Sequence, residues 1–196
     1  MKSIRPIALI IILGCSQNLP VEIEVLNSET NNIKSIQSGL DVLLSEKMEL
    51  ISGKSIGLVT NNSGLDNTGI PNYKKLMNIK DIDLKIIFSP EHGLFGEAAD
   101  GEKVSYGKIK SFPEIISLYG DNRKPTIEQL AKLDLIIYDI QDIGARFYTY
   151  ISSLGLVMEA AAEANIKVIV LDRPNPINGI KVEGPILEME NQSFVG

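Results

Sequence analysis

Residues 88–93 read Phe-Ser-Pro-Glu-His-Gly and set the only histidine of the chain, His92, directly after a carboxylate, Glu91. Pro90 fixes one backbone torsion and Gly93 frees another, so the pair is expected on a tight turn. Phe88, Leu94 and Phe95 flank it and are expected to keep part of the water away. Apolar surroundings make a carboxyl easier to protonate, the state a general acid needs. Three further polar clusters offer compatible chemistry: Asn61-Asn62, Asp139 with Asp142, and Asp172-Arg173 with Asn175. Several carboxylates without a serine or cysteine nucleophile signature suit acid–base work on a glycosidic bond. One carboxyl protonates the departing oxygen, and a second group supports the positive anomeric carbon. Glu91 is the candidate acid; Asp142 and Asp139 are the candidates for the second role. No metal site is expected from Glu91, His92, Asp139 and Asp142, because a single histidine without a helical His-Glu-x-x-His spacing is a poor ligand set.

These clusters need a scaffold, and each one follows an apolar run. Residues 55–60 (SIGLVT), 84–88 (LKIIF), 135–138 (LIIY) and 168–171 (VIVL) are buried-strand patterns, and 114–118 is a shorter one. Helices are expected at 33–50, interrupted by Gly39, at 71–79 with Pro71 in the first turn, at 126–133 capped by Thr126, and at 149–164. Residues 96–111 form a glycine-punctuated loop long enough to cover a site. Continuous β-branched runs, unlike alternating ones, indicate strands buried on both sides. The expected fold is therefore α/β, a Rossmann-like, mostly parallel sheet with helices on both faces. Ligands of such sheets gather beyond the carboxyl ends of the strands, where all four polar clusters fall. No Gly-x-Gly-x-x-Gly follows a strand and no phosphate-cradling loop is present, so no nucleotide or other cofactor is expected.

A chain of 196 residues with 44% apolar content is long enough for one cored domain plus a tail. Its net charge of −6 and the lack of a dense Lys/Arg patch argue against nucleic acid as a partner. Residues 1–14 begin with Lys2 and Arg5 and continue into a short apolar run, the pattern of a signal peptide. Ile12-Leu13-Gly14-Cys15 resembles a bacterial lipobox, and Cys15 is the sole cysteine. The expectation is an exported lipoprotein of the bacterial cell envelope, anchored to the membrane through a lipid on Cys15. Polar residues 15–32 would be its tether, and 33–196 the catalytic domain.

Three blocks carry a more specific likeness. Ser89-Pro90-Glu91-His92-Gly93, the run from Asp139 to Tyr150 (DIQDIGARFYTY), and Asp172-Arg173-Pro174-Asn175-Pro176 resemble the signature blocks of the exo-acting β-N-acetylmuramidase (NamZ-like) family. Gly57-Leu58-Val59-Thr60-Asn61, Leu118-Tyr119-Gly120 and Glu183-Gly184-Pro185 also fit. The resemblance implies a Rossmann-like catalytic domain that removes terminal N-acetylmuramic acid from peptidoglycan fragments (muropeptides or MurNAc-GlcNAc) in cell-wall turnover. It places the family's proposed catalytic glutamate on Glu91. His92 is then expected either to bond the sugar or orient Glu91, or to be structural. Arg146 would bind the lactyl carboxylate, its planar guanidinium matching a carboxylate, or else pair with Asp142 or Asp139. Asn61, Asp172, Arg173 and Asn175 are placed to contact substrate, and Tyr148 and Tyr150 to wall it or to pack in the core. Family members continue beyond the Ser-Phe-Val-Gly block into an Arg-His-Gly segment and a smaller domain. This sequence ends there, so the domain is expected to be incomplete at its C-terminus. The alternative function is a catalytically silent lipoprotein that binds peptidoglycan fragments.

Overall fold

A computed structural model of the chain describes residues 36–96, 106–107 and 110–195. The expected leader, Cys15, the tether and most of the 96–111 loop lie outside the described residues. The described residues fold around a five-stranded, wholly parallel sheet of β1 (Ser55–Thr60), β2 (Asp83–Ser89), β3 (Glu114–Ser117), β4 (Leu135–Asp139) and β5 (Lys167–Val170), in the order β3-β2-β1-β4-β5. Helices α1 (Gly39–Glu46) and α2 (Asn72–Met77) pack on one face through Leu40, Leu43, Tyr73 and Leu76. Helices α3 (Ile127–Leu130) and α4 (Tyr150–Glu163) pack on the other through Leu130, Val157, Ala160 and Ala161. This is the expected α/β architecture.

The chain runs outward from β1 to β2 and β3, then returns to lay β4 on the other side of β1. The loops after β1 and β4 therefore leave the sheet on opposite faces and open a crevice between them. Strand alternation decides what reaches each face. Ile56 and Leu58 of β1 and Leu135 and Ile137 of β4 point toward α1 and α2, so Thr60 and Asp139 point the same way. Val59, Ile136 and Tyr138 point toward α3 and α4. In β2 the register skips Lys85, so Leu84 and Ile87 share one face while Ile86 and Phe88 share the other.

Helices α1, α2 and α3 are shorter than their sequence patterns. Ser38 Oγ accepts from the Asp41 N–H, and the Asp41 carboxylate accepts from the Ser38 N–H, a reciprocal cap that starts α1 at Gly39. Gly39 is thus the first residue of the helix and not an interruption. Its N–H donates to the Asp172 carbonyl at 2.6 Å, and a Cβ there would lie 2.4 Å from the Asp172 nitrogen. Thr126 and Gln129 form the same kind of cap on α3, which ends at Leu130. Asp134 must then reach back to Ser55, receiving its N–H at 2.7 Å and donating its own to the Ser55 carbonyl at 2.8 Å. β5 is an edge strand with Val170 half exposed, unlike the fully buried β4.

The loop after β1 is tied by Asp66. Its carboxylate meets Lys75 Nζ at 2.6 Å and accepts from the backbone N–H groups of Thr68 and Ile70 and from the Thr68 hydroxyl. Lys75 first, then the Ile70 and Thr68 donors, hold this carboxyl well below the usual carboxylate range. A depressed folded-state value stabilises the protein above the unfolded carboxylate pKa and loses that contribution as pH falls through the folded one. Asp66→Asn should therefore lower the melting temperature fully at pH 7, and the gap to the unmodified chain should narrow below about pH 4. Thermal melts at pH 7 and at successive values well below pH 4 check this; a gap that is constant over that whole range would refute it.

Candidate active site

Glu91 stands on a turn whose backbone is unusual. His92 and Gly93 both adopt left-handed conformations, with φ of 70° and 77°. The Gly93 N–H closes the turn on the Pro90 carbonyl at 3.2 Å. A histidine in that region costs about 1–2 kcal/mol, and such strain tends to collect where a side chain must be aimed. The turn is anchored from inside: Leu94 is buried, and its N–H donates to the Tyr106 hydroxyl at 2.5 Å. Glu91 and His92 are left half-buried. The apolar neighbours expected from sequence do something else. Phe88 and Leu94 belong to the two cores, on opposite faces of the sheet, and Phe95 is exposed beside Tyr106.

What shields Glu91 is the loop after β4. The Thr149 hydroxyl lies 3.3 Å from Glu91 Oε2. Phe147, Tyr148 and Tyr150 follow one another as a ladder of tilted rings, with centroids 5.4 Å and 6.4 Å apart. Glu91, His92, Phe147, Tyr148, Thr149, Tyr150 and Val195 line a cleft of about 430 Å³, of a size that takes a small ligand. Val195 is brought there by Phe194, whose carbonyl accepts from Ser152 Oγ at 2.6 Å and whose ring lies 4.5 Å from the Arg123 guanidinium carbon. Phe147 is 70% exposed, an open aromatic face of the kind that covers the apolar side of a ring. Asn61, the first residue after β1, carries the strand alternation to the α4 side, and its Oδ1 accepts from the Ser63 N–H and hydroxyl. Burial, the largest effect, pushes the Tyr150 phenol above its ordinary value, so it stays protonated at neutral pH.

Asp139 is not brought to Glu91. Its parity in β4 turns it to the α2 face, where it is fully buried. Arg173 grips it with two hydrogen bonds, Nε to Oδ1 at 2.6 Å and Nη2 to Oδ2 at 3.0 Å. Asn72 Nδ2, at the start of α2, donates to Asp139 Oδ2 at 2.8 Å and to Thr60 Oγ1 at 2.7 Å. Arg173 also reaches the Leu65 carbonyl at 3.0 Å. The loops after β1, β4 and β5 are thus knotted together under the sheet's carboxyl edge. The expected second-role carboxylate and the expected substrate contact, Arg173, are partners in this knot. Gly64 sits against it: a Cβ would fall 2.3 Å from both Asn72 Nδ2 and Thr60 Oγ1. Gly64→Ala should cost about 1–3 kcal/mol by forcing these apart. Denaturant titration measures this, and an unchanged midpoint would argue against the network.

Asp142 closes its own turn, accepting the Gly144 N–H at 2.6 Å, the local role such residues often have. It also lines a recess with Tyr138, Asp172 and Arg173 that meets the Glu91 cleft at Tyr150. Arg146 pairs with neither aspartate; it is exposed and donates to the Pro185 carbonyl at 2.6 Å. Asn175 uses Oδ1 to accept the Ile177 N–H, and its amide packs on Gly144. Among the described residues no three His, Cys, Asp or Glu side chains come together to hold a metal ion. Nothing in the local sequence around Phe147, Thr149 or Asn72 marks them as site residues. Thr149 and Phe147 lie inside the Asp139–Tyr150 block, which was the one available signal.

Residues 56–196 match the family model described as exo-β-N-acetylmuramidase NamZ, N-terminal. The peptidoglycan β-N-acetylmuramidase NamZ of Bacillus subtilis (strain 168) is 45% identical over 170 residues, which cover 86% of this chain and 41% of that protein. Two DUF1343 family proteins of Bacteroides fragilis with crystal structures superpose with TM-scores of 0.72 and 0.66, at 43% and 36% identity. The match covers 81% and 82% of this chain and 40% of each of those proteins. The chain therefore spans about two-fifths of the length of the relatives it matches. With residues 56–196, which include the Glu91 turn and the residues of the aromatic cleft, matched to that model, the chain belongs to the NamZ exo-β-N-acetylmuramidase family through the family's N-terminal domain.

Proposed function

We propose that this chain carries the catalytic acid of an exo-acting β-N-acetylmuramidase, a glycoside hydrolase that cuts the bond of a terminal N-acetylmuramic acid in peptidoglycan fragments. The observation that carries the reading is Glu91, half-buried in a cleft walled by aromatic rings and held beside a hydroxyl. Protonated Glu91 gives its proton to the glycosidic oxygen as the C–O bond breaks. Water supplies the oxygen that bonds to the anomeric carbon, and its proton returns to a carboxylate, so the site ends as it began. With Asp139 enclosed, Asp142 in the adjoining recess is the carboxylate left to support the developing positive charge. It would do so directly or by polarising the sugar's own acetamido group. The tilted rings exclude water from the acid and cover the sugar's apolar face.

The test is release of nitrophenol from para-nitrophenyl β-N-acetylmuramide, beside the matching glucosaminide. Turnover of the muramide alone supports the reading. Binding of both without turnover favours a silent binding protein instead. In the cell this activity would serve cell-wall turnover and recycling, from an exported protein held in the envelope by a lipid on Cys15. Radioactive fatty acid should label the unmodified chain and not Cys15→Ala; an unlabelled unmodified chain would refute the anchor.

A further inference from the structure

One wall of the Glu91 cleft is Val195, the one aliphatic side chain among the described residues that line it. Val195 belongs to no strand or helix, so its place depends on what holds its neighbour Phe194. Two contacts do so, from two distant parts of the chain. Ser152 Oγ, in the first turn of α4, donates to the Phe194 carbonyl at 2.6 Å. The Arg123 guanidinium lies over the Phe194 ring, 4.5 Å from its centroid. Arg123 is itself held, its Nε donating to the Gly120 carbonyl at 3.2 Å across a turn in which Gly120 has a φ of 72°. That turn follows β3, where the Leu118 N–H donates to the Ser89 carbonyl at 2.7 Å. Ser89 ends β2 and leads into Pro90 and Glu91. The start of α4 likewise serves both the acid and the wall. Thr149, just before it, bonds Glu91, and Ser152 holds Phe194.

We infer that Arg123, Ser152 and Phe194 are positioning residues of this site, a clip that seats Val195 as an aliphatic wall for the bound sugar. The inference rests on the hydrolase reading above and adds to it a wall and the groups that set it. A loop residue that is not held in advance must be ordered by the ligand, and that cost is taken from binding. Valine has no proton to give or take, so loosening it falls on binding and not on the chemical step.

Arg123→Ala should therefore raise KM for the chromogenic muramide by about 2–5-fold, the worth of an exposed cation–ring contact, with kcat nearly unchanged. Ser152→Ala should raise it by about 2–10-fold, the worth of one hydrogen bond. Alanine is the better helix former, so the melting temperature of Ser152→Ala should be unchanged or higher, which a general loosening of α4 would not give. Phe194→Ala should weaken binding at least as much as Arg123→Ala. Adding Arg123→Ala to it should cost nothing more, because the contact is already gone. A readout that needs no turnover is calorimetric binding of MurNAc-GlcNAc in the Glu91→Gln background, where Kd should rise by the same factors. Unchanged KM and Kd in Phe194→Ala and Ser152→Ala, a loss confined to kcat, or multiplying losses in the double variant would each overturn the inference while leaving the hydrolase reading in place. An unmodified chain that neither binds nor turns over these sugars overturns both.

Discussion

Glu91→Gln should lower hydrolysis of MurNAc-GlcNAc, whose sugar leaving group needs a proton, by about 10²–10⁴-fold, the usual worth of a positioned general acid. The melting temperature should stay within about 2 °C of the unmodified chain. Glutamine has the same length and still accepts from the Thr149 hydroxyl that lies 3.3 Å from Glu91 Oε2. What it cannot do is hand a proton to a leaving oxygen. Because the turn is set by the left-handed backbone at His92 and Gly93 and by the Leu94 anchor, the glutamate contributes little to its shape. A leaving group that needs no protonation, such as dinitrophenolate, should restore a large part of the lost rate. Turnover within about threefold of normal on the ordinary substrate would remove Glu91 from the mechanism.

Arg173→Met should be the most damaging change to stability, costing about 3–5 kcal/mol, a fall in melting temperature on the order of 10 °C. Asp139 is fully buried, and the Arg173 side chain is only 9% exposed. Methionine fills most of the space but leaves a carboxylate enclosed with only Asn72 Nδ2 as its side-chain donor. Repair is possible from the other side. Asp139→Asn added to Arg173→Met should recover much of the loss, since no charge is then stranded. If the two losses simply add, the ion pair is not what holds these loops together. The pair joins the loops after β4 and β5, and Arg173 reaches the Leu65 carbonyl of the loop after β1. Arg173→Met should therefore also slow turnover, even though Arg173 does not line the Glu91 cleft.

Features set by near neighbours in the chain are legible in the sequence, and features set by distant ones are not. The four β-branched runs, the Pro-Glu-His-Gly turn and the gathering of polar residues at the carboxyl edge were legible because they depend on neighbours within a few positions. Which face a residue reaches was half legible. Thr60 and Asp139 share parity with Ile56, Leu58, Leu135 and Ile137, but only the packed helices reveal that this is the α2 side. That is why Asp139 reads as an open catalytic carboxylate in the sequence and is a buried structural one in the fold. Arg173 lies 34 positions from it, and nothing local pairs them. Asn72 reads as an ordinary helix start, although its amide bridges Thr60 and Asp139. Phe88 and Leu94 are neighbours of the acid in sequence only. The rings that serve it come from the loop after β4, adjacent only once the sheet has formed.

The most direct test is a crystal structure of the Glu91→Gln variant soaked with the disaccharide MurNAc-GlcNAc. The glycosidic oxygen should lie about 2.6–3.2 Å from the residue 91 side chain, with the muramic ring against Tyr148 and Phe147. A disaccharide seated in the recess beside β5, with residue 91 out of reach of that oxygen, would contradict the account.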